Sequence, residues 1–118
     1  MRDHTKLKAF QLADLLTLTG YKISAQLPAE ERFGLAAQMR RAAVSIPCNI
    51  VEGCARHTEA DFLRFLDIAY GSARELEYQA SLTFRLGYID VKSNGELGAA
   101  CEETSKVLDG LIRSLRPQ

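Results

Sequence analysis

The chain has no tryptophan, and its 118 residues include only three prolines, three cysteines, two histidines and two methionines. Each shortage excludes something. Cys48, Cys54 and Cys101 are odd in number and form no CxxC pair, which rules out a disulfide framework and agrees with a reducing compartment. His4 and His57 lie far apart, and neither stands at helical spacing from a cysteine, so the roughly four ligands of a zinc site are not available. Net charge is also missing, because fifteen basic residues balance fifteen acidic ones. Any affinity for nucleic acid must therefore come from a local patch. No apolar run approaches the roughly 20 residues of a membrane span. The N-terminal Met1-Arg2-Asp3-His4-Thr5-Lys6 leads into a segment broken by Lys8, Gln11 and Asp14, which is no signal peptide. These absences describe a soluble, cytoplasmic protein with no expected metal, cofactor or membrane partner.

What is present is ordinary globular material. Apolar residues make up 47% and charged residues 25%, and the length suits one domain, 1–118, with one core. Helical periodicity dominates. Helix A runs from about Leu7 to Gln26, with Leu12, Leu16, Ile23 and Leu27 on one stripe and Phe10, Leu18 and Tyr21 widening it. Pro28 ends it and can open the next helix. Helix B spans about Ala29 to Gly53, with Leu35, Met39, Ala42, Ile46, Ile50 and Gly53 as core face. Pro47 removes a hydrogen bond to the carbonyl of Ala43, so a kink is expected between the two. Helix C opens on Thr58, a good N-cap, followed by Glu59 and Asp61 at the positive end of the helix dipole. Its core stripe is Phe62, Phe65, Leu66, Ala69, Ala73, Leu76, Ala80 and Phe84, and Gly87 closes it. Helix D opens on Ser93-Asn94-Gly95-Glu96, read as a capping box, and buries Leu97, Cys101, Thr104, Leu108, Leu111, Ile112 and Leu115. Gly98 and Gly110 weaken it by roughly 1 kcal/mol each relative to alanine. Tyr88-Ile89-Asp90-Val91 is the only strand-like run. Short connections force neighbouring helices to be antiparallel. The expected fold is an all-α, antiparallel up-down-up-down four-helix bundle.

Helix B carries more than a core face. Gln38, Arg41, Ser45, Asn49, Glu52 and Arg56 form a polar stripe beside the core sector. Arg41, Asn49 and Glu52 are read as a partly buried hydrogen-bonded network, because charged groups are tolerated inside only when paired. The other reading, an exposed face with Glu52 and Arg56 as a weak i,i+4 pair, stays open. A third group, Phe33, Ala37, Val44, Cys48, Val51 and Ala55, lies roughly opposite the core stripe. Two apolar faces imply two partners, the bundle and a second surface. This makes Phe33, Val44, Cys48 and Val51 candidates for a homo-oligomer interface.

For function, catalysis finds little support. Di-metal bundles use Glu-x-x-His pairs, and neither histidine follows a glutamate by three. No nucleophile–base arrangement is visible, and Gly71-Ser72 sits mid-helix. Arg40, Arg41 and Arg56 on helix B are candidates for binding RNA or DNA, a weak patch that an oligomer would repeat. No aromatic-interleaved basic motif accompanies them. A protein-interaction scaffold is the alternative.

The run Ser45-Ile46-Pro47-Cys48-Asn49-Ile50-Val51-Glu52-Gly53 resembles a known family. The likeness extends back through Phe33-Gly34-Leu35 and Gln38-Met39-Arg40-Arg41-Ala42. It runs on through Arg56, residues 62–72, Glu75-Leu76-Glu77 and Leu86-Gly87-Tyr88-Ile89. The family is the four helix bundle proteins often labelled as encoded in intervening sequences of bacterial 23S ribosomal RNA genes. Cys48 departs from the small polar or alanine residue usual there. The resemblance implies the same fold and a homopentameric barrel. A related group, the accessory proteins of diversity-generating retroelements, implies pentamers that bind nucleic acid through basic residues.

Overall fold

In the computed structural model, which describes residues 2–117, the helix ends are set by local hydrogen bonding. Thr58 accepts a bond from the Asp61 N–H at 3.2 Å and opens the third helix as expected. Gly87, at φ +78°, closes that helix. Its N–H reaches the Phe84 carbonyl while Tyr88 N–H reaches that of Thr83, the two bonds of a Schellman motif. The fourth helix does not begin at Ser93. Asp90 caps it by accepting the Ser93 N–H at 2.7 Å, and bonding to Ser93 holds the Asp90 carboxyl below its ordinary pKa. Ser93 lies one turn inside, buried, with its hydroxyl paired to Gln26. The strand-like 88–91 run is therefore a turn and a cap, with Ile89 buried in the core.

Among the described residues, four helices result: α1 Lys8–Ser24, α2 Leu35–Cys54, α3 Glu59–Arg85 and α4 Val91–Leu115. Short 3-10 turns at His4–Lys6 and Ala29–Glu31 precede α1 and α2. Each helix packs on its sequence neighbours and α1 closes against α4, while the backbones of the diagonal pairs stay apart. This is the expected all-α antiparallel up-down-up-down bundle, 43 × 23 × 21 Å. Its centre is filled by Leu16, Met39, Ile46, Phe62, Leu66 and Leu108, among others, each stabilising by about 1.5–3 kcal/mol through burial.

Several stripes shift from expectation. Leu18 and Tyr21 are exposed, so they do not widen the core face of α1; Ala9, Ala13 and Gly20 occupy that face instead. Phe84 is 37% exposed and its stripe position passes to Thr83, which is fully buried with its hydroxyl bonded to the Ala80 carbonyl. The larger correction concerns the start of α2. Residues 29–31 form a 3-10 turn and 32–34 a further hydrogen-bonded turn, and Glu31 turns its carboxylate onto the Leu35 N–H at 3.0 Å, capping α2 from outside. The helix begins six residues later than its periodicity implies.

Pro47 does not interrupt α2, which is helical from Leu35 to Cys54, and the expected kink is not shown. A proline there leaves the Ala43 carbonyl without its helical donor. The Thr17 hydroxyl on α1 lies 3.0 Å from that carbonyl and 2.9 Å from the Ala13 carbonyl. Its single proton is shared between them. Gly20 makes this approach possible, since a Cβ there would stand 3.1 Å from the Ala43 Cβ. At the far end of α2 a Cβ on Gly53 would stand 2.9 Å from the Phe65 Cβ, so α3 also rests directly on α2 backbone.

Thr17→Val should cost about 1–3 kcal/mol, because the carbonyl at Ala43 becomes a buried, unpaired acceptor. In a Pro47→Ala background the restored N–H supplies that carbonyl, so the same substitution should cost distinctly less. Equal costs in both backgrounds, by denaturant unfolding, would disprove the link between Thr17 and Pro47.

Candidate nucleic-acid interface

The arginines divide by what they touch. Six of the ten stand within 4.0 Å of a carboxylate: Arg2, Arg56, Arg64, Arg74, Arg113 and Arg116. Three of these gather at the α2–α3 turn around two phenylalanines. Arg2 lies over the Phe62 ring at 4.1 Å, and Arg56 and Arg64 lie over Phe65 at 4.8 and 4.5 Å. There the guanidinium groups are held by cation–π attraction as well as ion pairs. The Arg2 N–H also reaches the Cys54 carbonyl at 2.9 Å, tying the N-terminal segment to the end of α2.

The other four, Arg32, Arg40, Arg41 and Arg85, have no carboxylate partner among the described residues. Arg32, Arg40 and Arg41 fall within ten residues at the start of α2. Arg40 donates to the Arg32 carbonyl at 3.2 Å. Arg32 and Arg40 line one cleft of about 330 Å³, between the end of α1 and the start of α2. Arg41 lines a second groove of about 450 Å³ between α2 and α3, with Gln38, Ser45, Ser72 and Glu75. The acid closest in sequence to this group, Glu31, is already engaged by Leu35 N–H and the Tyr88 hydroxyl. Desolvation, and then that hydrogen bond to Glu31, raises the Tyr88 pKa.

The expected patch of Arg40, Arg41 and Arg56 is thus split. Arg56 sits just past the other end of α2, roughly 24 Å from Arg40 at 1.5 Å per residue, bonded to Glu52 at 2.8 Å. Arg32 replaces it. Periodicity places Arg32 on a helix that does not extend that far, so its position beside Arg40 is not visible in the sequence.

The expected network of Arg41, Asn49 and Glu52 does not form within the subunit. Arg41 and Glu52 are exposed and bond neither each other nor Asn49. Asn49 alone is half-buried, donating to the Ser45 carbonyl at 2.7 Å and to its hydroxyl at 3.0 Å. The Ser45 hydroxyl meets that of Ser72 at 2.9 Å and so links α2 to α3. A small hydroxyl–amide cluster occupies the place expected for charges, because long side chains at the bundle edge reach water instead.

The outward face of α2 presents Val44 at 38% exposure, Cys48, and Val51 at 37%. Phe33 is not part of α2. It precedes the helix and stands 85% exposed, with the Arg32 guanidinium 5.2 Å from its ring centre.

The family profile described as 23S rRNA-intervening sequence protein matches residues 5–110. The chain belongs to that family. No curated protein matches it. A solved structure at 1.70 Å is similar to it: a protein of unknown function from the S23 ribosomal protein family of Bacteroides thetaiotaomicron VPI-5482. The two chains are 26% identical with a TM-score of 0.82, over 89% of this chain and 95% of that one. The family assignment and the fold agree with the resemblance carried by the Pro47 segment. Among the described residues no helix is long and apolar enough to cross a membrane.

The division of polar side chains sets different mutational costs. Arg41→Ala and Glu52→Ala should each change stability by less than about 0.5 kcal/mol, as exposed positions do. Asn49→Ala should cost about 0.5–1.5 kcal/mol through its two lost bonds. Urea unfolding of the three variants checks this, and a larger loss at Arg41 than at Asn49 would refute the assignment.

Proposed function

We propose that this protein is a non-enzymatic homo-oligomer that binds structured RNA or DNA through basic patches repeated on each subunit. The observation that carries the reading is that Arg32, Arg40 and Arg41, within ten residues at the start of α2, form no ion pair among the described residues, on a chain whose other arginines are largely paired. Guanidinium groups without carboxylates are free for phosphate, which they bind in a fork geometry. Local excess of charge can serve here despite zero net charge, since screening confines electrostatic attraction to about 8–10 Å.

The oligomer is supported by the outward face of α2, where Val44, Cys48 and Val51 lie on one helical side with no role in the subunit core. A pentamer is the count implied by the resemblance. Oligomerisation would repeat these arginines on every subunit and so build a surface of much higher avidity. Against catalysis stands the chemistry of the candidate groups. Ser45, Ser72 and Asn49 hydrogen-bond one another, with no titratable base in the cluster.

Gel shifts against a structured RNA and a DNA duplex test the reading. Affinity should fall with salt, with a slope in log K against log [salt] of about −0.7 to −0.9 per phosphate contacted. Arg40→Glu or Arg41→Glu should weaken all sequences alike, because phosphate contacts carry no base information. Arg56→Ala should leave affinity nearly unchanged. With the oligomer intact, absence of any shift at low salt would overturn this reading in favour of a protein scaffold.

The assembly has its own test. Sedimentation should show a species several times 13.1 kDa, and Val51→Asp should dissociate it without unfolding the bundle. Thiol labelling then reports the face directly. Burial raises the Cys54 thiol and pushes Cys101 up to about 12, so at mildly alkaline pH both stay protonated and slow to react. Cys48 should be slow in the assembly and fast in Val51→Asp. Rapid labelling of Cys48 in a protein that sediments as an oligomer would place the interface elsewhere.

A further inference from the structure

Phe33 is the most exposed large apolar side chain among the described residues, at 85%, and it stands next to the free arginines. The Arg32 guanidinium lies 5.2 Å from its ring centre, and the Arg32 carbonyl is held by Arg40 at 3.2 Å. Both arginines border the cleft of about 330 Å³, whose walls are the apolar Ala25, Leu27, Pro28 and Ala36. The three features are contiguous: an aromatic face, two cations and an apolar slot. A lone phenylalanine in water is a liability, but it is a stacking platform when a planar ring can cover it.

We infer that Phe33 stacks an unpaired nucleobase whose neighbouring phosphate is bound between Arg32 and Arg40, so that the preferred ligand is single-stranded nucleic acid or an unpaired segment of a folded one. The inference rests on the nucleic-acid reading above and narrows its substrate class. Charge complementarity selects this occupant, since a group that covers Phe33 must also sit beside two unpaired guanidiniums. A base in a duplex offers no free face, whereas an unpaired nucleotide offers the ring and the phosphate at adjacent positions. The Arg32 guanidinium lies over the Phe33 ring, yet the side chain stays 85% exposed and has surface left for a base. The cleft lies at the small end of the range for ligand pockets, about 300–1,000 Å³, which suits a single ribose or base edge. Ser24 and Ala25, at the negative carbonyl end of α1, also line the cleft, so the phosphate stays beside the arginines.

The chain has no tryptophan, so Phe33→Trp installs a single fluorophore at the platform. Oligouridine and oligothymidine of about twelve nucleotides, and a DNA duplex of the same length, are titrated into wild type, Phe33→Trp, Phe33→Leu and Phe33→Ala. The single strands should bind more tightly than the duplex and should quench the emission of the introduced indole. Phe33→Leu and Phe33→Ala should each lose about tenfold or more in single-strand affinity, with duplex affinity, salt slope and sedimentation unchanged. Phe33→Leu binding the single strands as wild type does, or single-strand and duplex affinities falling together, would overturn the stacking role while leaving the phosphate reading in place. A drop in oligomer mass on Phe33→Ala would also overturn it, assigning Phe33 to a subunit contact. Failure of wild type to bind either form at low salt would defeat the nucleic-acid reading itself.

Discussion

The crossing of α1 and α2 at Ala43 is the constraint on which the rest of the bundle depends. Pro47 deprives that carbonyl of its own helix's donor, and a buried acceptor without a partner costs about as much as a good core contact provides. The remedy comes from another helix, through the Thr17 hydroxyl. It requires α1 to lie close, which Gly20 permits. A proline that would damage an isolated helix thereby fixes the rotation and depth of its neighbour. With α1 placed on one flank of α2 and α3 resting on Gly53 at the other, only one side of α2 remains outward, and it carries Val44, Cys48 and Val51.

The same geometry separates two uses of arginine. At the α2–α3 turn the guanidiniums of Arg2, Arg56 and Arg64 lie on Phe62 and Phe65, with acids close by. They shield ring surface and brace the turn. At the opposite end of α2, Arg32 and Arg40 meet a backbone carbonyl, an exposed phenylalanine and a cleft, and Arg41 lines a groove with Glu75 without an ion pair to it. A chain with no net charge can thus be locally cationic, because pairing consumes the acids where the structure needs them. Glu31 follows the same pattern: it caps α2 and accepts the Tyr88 hydroxyl instead of neutralising Arg32.

Membership of the 23S rRNA-intervening sequence protein family and the shared fold with a protein of unknown function leave activity to be argued from the surface. The bundle interior is apolar and small-residue rich, and polar members such as Thr83 and Thr104 are satisfied locally by hydroxyl-to-carbonyl bonds. Chemistry that could involve other molecules lies on α2 and the segment preceding it.

How far the sequence alone carried depends on the range of the force concerned. Helix identity, order and antiparallel packing were legible in it, because apolar periodicity and short loops are local properties. So was the Thr58 cap. The Ser93 capping box was a reasonable local pattern that lost to Asp90, since Ser93 was drawn inside by Gln26, just beyond the end of α1. The position of Phe33 could not be read, because a helical wheel assumes an α-helix and residues 29–34 form none. Nor could the sequence say whether Arg41, Glu52 and Arg56 were buried or paired. That choice depends on which side chains from distant parts of the chain arrive beside them. By itself the sequence determined a four-helix bundle with a surplus apolar face on its second helix. Only the tertiary structure decided which arginines remain free, because ion pairs and ring contacts form between residues that are neighbours in space.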